Sequence, residues 1–193
     1  MKPLLSIVCL GCLASAARGQ APVAWPLDPT THRIRYQAVV SVADVSQPDL
    51  LARACGWATG VASPGAPPVV THEPDTEVLV VSGAQPLAYT YALAGTFRGL
   101  PRTRTTRLVL HYTVRLWLRE GRYRYEATDF AFAWPASPTP EPAENDLLEM
   151  KALNEDGASI LTAERTRFQE ATATLLAHLQ AAMNKPGGKS AAK

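Results

Sequence analysis

The stretch LVLHYTVRLWLREGRYRYEATDFAFAW, residues 108–134, folds on Glu120-Gly121 into a β-hairpin. Pairing Arg119 with Arg122 and counting outward puts Leu118, Leu116, Val114, Tyr112 and Leu110 on one face. Tyr123, Tyr125, Ala127, Asp129 and Ala131 oppose them. The other face takes Arg119, Trp117, Arg115, Thr113 and His111, opposite Arg122, Arg124, Glu126, Thr128 and Phe130. A period of two with one dry face is the mark of a half-buried sheet. A one-residue slip would turn five apolar side chains into water, so the register is well specified. On the wetter face the count makes Arg115–Glu126 an ion pair and Trp117–Arg124 a cation–π contact. Asp129 is the misfit, a carboxylate counted onto the dry face; a hydrogen bond to a tyrosine or an outward-turning bulge would accommodate it.

Working toward the N-terminus, residues 1–19 read as a signal peptide: Lys2, an apolar run over 4–13, then small residues at Ala14-Ser15-Ala16 or Ala17-Arg18-Gly19. The run is well short of the roughly 20 residues that span a bilayer. The alternative, lipid anchoring at Cys12 after Gly11, has Cys9 where an aliphatic residue is expected. Export implies a periplasmic or extracellular protein. Removal of Lys2 and Arg18 reduces the 19 basic residues to 17, equal to the 17 acidic ones, so the mature chain is near neutral. Cys55 then has no partner for an internal disulfide, and its apolar setting suggests a buried structural thiol.

Residues 20–31 read as an extended leader and 32–184 as a single domain. His32 begins a strand with Ile34, Tyr36, Ala38, Val40 and Val42 on one face. Ser46 or Asp44 caps a helix over 47–59 with Pro48 in its first turn. Residues 62–74 read as loop, 77–82 as a strand, Gly83–Pro86 as a turn, 87–97 as a strand, and 99–104 as a connection. Four prolines make 135–143 a stiff extended linker. Helical patterns follow over 144–153 and 160–183, interrupted near Asn154–Gly157, and 185–193 is a disordered tail. The order strand, helix, four strands, helices is α+β: a five-stranded antiparallel sheet covered on one face by helices.

Asp28-Pro29, Trp57, Gly95-Thr96-Phe97, Gly121-Arg122-Tyr123-Arg124-Tyr125, Asp129-Phe130 and the helix end Leu179-Gln180-Ala181-Ala182-Met183 together carry a family resemblance. Over residues 28–185 the chain resembles an exported bacterial family of unknown function with a TATA-binding-protein-like (TBP-like) fold. The resemblance implies that fold. It implies no activity, and the fold name does not bring DNA binding with it.

No catalytic or metal motif stands out. His32, His72, His111 and His178 are scattered, and no glycine-rich phosphate loop or Gly-x-Ser-x-Gly elbow is present. No cofactor is expected. Residues 98–124 hold eight arginines and one acid, while 126–170 hold ten acids and three bases. Arg115, Trp117, Arg119, Arg122, Arg124 and His111 converge on the outer hairpin face, a combination suited to phosphate, acidic glycan or a stacked ring. A solvated sheet face is the simpler account of the same residues. The expectation is a non-catalytic exported domain binding an envelope protein or ligand through that face. Alternatives are a polyanion-binding module, an enzyme on an envelope polymer using His111 and Asp129, or a homodimer through the same face. Near-neutral charge and export argue against nucleic acid as partner.

Overall fold

Alternating runs of large and polar side chains build a single sheet, and two apolar helical stripes cover one side of it. The computed structural model describes residues 25–61, 68–73, 77–148 and 154–185. Along the chain these form β1 (Tyr36–Ser41), α1 (Gln47–Gly60), β2 (Val69–Glu73), β3 (Val78–Phe97), β4 (Leu100–Arg119), β5 (Arg122–Trp134), β6 (Ser137–Pro142), α2 (Ala143–Leu147) and α3 (Glu155–Met183). The sheet is antiparallel in the order β1-β5-β4-β3-β2, with β6 also paired to β5. The α+β architecture expected from the pattern is the one observed. The segment read as a signal peptide, with Cys12, most of the Pro-rich loop, residues 149–153 and the tail beyond Lys185 lie outside the described residues.

α1 begins where Ser46 accepts from the Asp49 backbone N–H, with Pro48 in the first turn. Its buried stripe is Leu50, Ala54, Trp57 and Ala58. Cys55 lies one position round from Ala54 and is exposed, which corrects the expectation of a buried thiol. α3 starts at an Asn154 cap and buries Phe168, Ala171, Thr172, Leu175, Leu179 and Met183. Phe168 is the aromatic centre, with ring centroids 5.2 Å from Phe130, 5.7 Å from Trp25 and 6.1 Å from Phe132. Such pairs contribute about 0.5–1.5 kcal/mol each beyond their buried area.

Several boundaries differ from the sequence expectation. Val69–Glu73, read as loop, is edge strand β2, paired to β3 from Val69↔Ser82 to Glu73↔Val78. Gly83–Pro86, read as a turn, stays in β3 opposite Val109–Tyr112. Gly83 is there for space: a Cβ on it would stand 2.7 Å from the Tyr112 hydroxyl. Pro86 lies past the reach of β2, on a stretch of β3 with no strand on that side among the described residues, where a missing N–H costs least. Of the segment 99–104, residues 100–104 belong to β4, because Arg98 and Gly99 form a two-residue turn with φ of +53° and +78°. The Pro-rich 135–143 segment is extended as expected, but it also pairs as β6 before Ala143 opens α2.

Glu164 is the one carboxylate in α3's buried stripe, 6% exposed. Burial, reinforced by Asp146, pushes its carboxyl up to about 7, against a bond from Tyr89 that favours the ionised form.

Two outcomes test this packing. Gly83→Ala is expected to lower stability by about 1–3 kcal/mol in urea melts. Tyr112→Phe, removing a buried hydroxyl without a partner, should be near neutral alone and should recover part of that loss in the double variant. Glu164 has a folded pKa above its unfolded value, so its favourable contribution is complete below about pH 4.5 and disappears as pH rises toward 7. Glu164→Gln should therefore raise stability at pH 8 by about 3 kcal/mol at most, with the gain vanishing near pH 4.

Candidate functional site

The β4–β5 register matches the count from Arg119↔Arg122 through Thr113↔Thr128, and then shifts. Asp129 takes φ of +55° in a bulge, so His111 faces Ala131 and Leu110 faces Phe132. Phe130, counted onto the wet face, is fully buried, and Phe132 is 1% exposed. Asp129 turns outward. The bulge is one of the two accommodations open to that residue, and it places the carboxylate on the outer face.

His111, Arg115, Trp117, Arg119, Arg122 and Arg124 all alternate with buried residues and so lie on the face away from the helices. They do not form one site. At the turn end, the Arg124 guanidinium stacks 4.8 Å from the Trp117 ring centroid, as expected. Arg124 also donates to Gln37 and Glu126, both at 3.2 Å. Glu126 further pairs with Arg35 at 2.8 Å, and Arg35 bonds Asp28. Backbone N–H donation from Thr31, then Arg35 and the Thr30 N–H, lowers the Asp28 carboxyl to about 2. The expected Arg115–Glu126 ion pair is replaced, since Glu126 is held from β1 and β5. Arg115 instead meets Asp129 at 3.5 Å and donates to Thr128 at 3.0 Å. Arg119 and Arg122 are exposed across the turn from one another and have no ion pair among the described residues.

His111 and Asp129 instead line a cavity of about 1000 Å³ over the middle of β3 and β4. Val109 and Pro86 contribute apolar walls, and small side chains at Ala84 and Ala88 leave the hollow. Tyr112 and Arg167 also line it, each with a buried polar atom lacking a partner: the tyrosine hydroxyl and the arginine Nε. Burial pushes the Tyr112 hydroxyl up to about 12. Sequence reasoning missed this cavity. Its only signal was the run of small residues at alternate positions from Ser82 to Ala88, masked by the turn reading of Gly83–Pro86. Among the described residues no three of His, Cys, Asp or Glu gather to hold a metal ion.

No family model and no curated protein matches the chain. Solved structures do. A DUF4468 family protein from Bacteroides ovatus superposes with a TM-score of 0.59 at 11% identity, over 84% of this chain and 93% of that one. A TBP-like protein from Parabacteroides distasonis superposes with a TM-score of 0.51 at 16% identity, over 77% of this chain and 93% of that one. The fold is TBP-like. The likeness to a bacterial domain of unknown function, first carried by the hairpin motif, therefore has structural support over nearly the whole of both neighbours. At such identities the TBP-like fold is what is shared, and no site residue is transferred with it.

The bulge has a direct test. Asp129→Gly should fold with stability within about 1 kcal/mol of the parent, since glycine adopts positive φ freely while the exposed Arg115 contact is weak. Asp129→Val should lose about 1–3 kcal/mol, because a β-branched residue is strained at that φ. Urea midpoints of the two variants measure the difference.

Proposed function

We propose that the chain is an exported, non-catalytic domain that binds an envelope protein or ligand through its outer sheet face. The observation that carries this is the hollow of about 1000 Å³ beside β3 and β4, which takes Val109, His111 and Asp129 from the outer face and reaches Tyr112 and the α3 residue Arg167 on the helix side. An apolar cavity with a few convergent polar groups is the usual form of a binding site. Further along the same strands, toward the β4–β5 turn, the stacked Trp117–Arg124 pair offers a flat, charged platform for a ring, carboxylate or phosphate. A partner with an apolar group for the hollow and a planar or acidic group for the platform fits both ends. The export signal read in residues 1–19 supports an envelope location.

A steeply salt-dependent polyanion binder is less well supported. Arg115 and Arg124 already face Asp129 and Glu126, which leaves Arg107, Arg119 and Arg122 as the β4 and β5 arginines of the face with no ion pair among the described residues. The enzyme alternative rests on His111 and Asp129 lining the same cavity. A pH-dependent activity on an envelope polymer, abolished in His111→Ala, would favour it over binding alone.

The test is affinity capture from native envelope extract with the wild type, Trp117→Ala/Arg124→Ala, and Val109→Glu at the cavity wall. Circular dichroism would confirm that each variant is folded. A partner held by the wild type and reduced at least about tenfold by either variant is the expected result. Equal capture by all three would remove the face from the function.

A further inference from the structure

The β3–β4 hairpin runs well past the rest of the sheet. β4 leaves β5 after Val109↔Ala133, and β3 leaves β2 after Ser82, so the two strands continue to the Phe97↔Leu100 pair with no other strand beside them among the described residues. The nine residues from Leu100 to Leu108 span roughly 30 Å. α3 covers the base of this arm: the Ala92 N–H donates to Ser159 at 3.2 Å and the Ala94 N–H to Asp156. Beyond Ala94 every residue through Thr105 is exposed. Phe97 and Leu100 are 67% and 68% exposed, the highest values among the large hydrophobic side chains described. The Arg98 guanidinium lies 5.4 Å from the Phe97 ring centroid, and Arg102 and Arg104 follow. No Asp or Glu occurs between Glu77 and Glu120. Asp156 at the start of α3, with Glu155 next to it, and Glu164 beside Tyr89 further along α3, are acids on the helix that covers the arm's base.

We propose that the Phe97–Leu100 tip is a membrane anchor that enters the interface of an anionic lipid surface, with Arg98, Arg102 and Arg104 on the lipid phosphates. Two side chains are far too little apolar surface for a stable protein interface, which takes roughly 800 Å² per partner. They suit shallow insertion of about 5–10 Å at the headgroup boundary, where aromatic rings and arginines are both at home. A second copy of the chain at the tip would bring six arginines together with no acid between them. An anionic bilayer supplies the missing charge. This site is separate from the outer-face hollow, and either can fail without the other.

The experiment uses the full chain with phosphatidylcholine vesicles, with or without phosphatidylglycerol. Phe97→Trp places a reporter at the tip, and brominated lipid quenches only tryptophan that enters the bilayer. Added quenching relative to the wild type, confined to phosphatidylglycerol vesicles and weakened by salt, is the expected result. It also separates the tip from any binding by residues 1–19, which both proteins share. Phe97→Ser/Leu100→Ser should weaken vesicle binding about tenfold or more. Arg98→Gln, Arg102→Gln and Arg104→Gln should each cost about fivefold. Quenching no greater than in the wild type, or equal on both lipids, overturns the proposal. So does a double-serine variant that dissociates a dimer without changing vesicle binding, which would assign the tip to a second copy.

Discussion

One extra residue in β5 sets the relation between the inside and outside of this protein. Unbroken alternation would put Asp129 against the helices and Phe130 in water; the bulge reverses both. Holding a non-glycine residue at φ of +55° costs on the order of 1 kcal/mol. Burying two phenyl rings returns about 2–3 kcal/mol apiece, so the bulged register wins by a clear margin. Phe130 and Phe132 then form the surface on which Phe168 rests, and Phe168 seats α3. The residue turned out by the bulge holds Arg115 on the other face.

With α3 seated, a small set of side chains ties loop and helix ends to distant backbone. Arg53 donates to the Met183 carbonyl at 2.7 Å, serving the C-terminal end of α3 from α1. Arg165 reaches the Leu147 carbonyl through two nitrogens and does the same for α2. Glu144 accepts from the Ile34 N–H at 2.8 Å, and Glu120 from the Gln47 N–H at 3.2 Å. Ser159 and Asp156 occupy donors on the edge of β3 that β2 is too short to cover. A bare edge of that length would invite strand pairing by another chain. Glu164 follows a different logic: it is buried at a cost, beside Tyr89 and Asp146, and that cost grows with pH.

What could be read in the sequence was what local chemistry decides. Ser46 with Pro48 marks the start of α1 by capping alone, and Glu120-Gly121 with its flanking alternation fixes the β4–β5 register as far as Thr113 and Thr128. Readings failed where a residue answers to a distant neighbour. Gly83 looks like a turn glycine until Tyr112 is seen filling its missing side chain. Glu126 looks like the partner of Arg115 until β1 delivers Arg35 beside it. Arg98-Gly99 is a weak turn signal because arginine rarely adopts positive φ, so the long arm was divided into shorter pieces. The hollow depends on what is absent from Ala84 and Ala88, and it appears only once β3 runs unbroken past them.

The two ends of β4 use arginine in opposite ways. Near the β4–β5 turn, Arg115 and Arg124 have carboxylate partners, and Arg124 is further held against Trp117. Guanidinium groups so constrained lose little entropy on meeting a partner and add little net charge, so recognition at the Trp117–Arg124 platform depends on shape and stacking, while Arg119 and Arg122 at the turn itself have no ion pair among the described residues. At the Phe97–Leu100 end, Arg98, Arg102 and Arg104 surround an exposed apolar tip with no acid in the hairpin itself. Charge there is unspent and long-ranged, suited to finding an extended anionic surface rather than discriminating among small ligands. A single strand thus joins a region built for fit to one built for attraction, and the near balance of 19 basic and 17 acidic residues in the whole sequence conceals the difference.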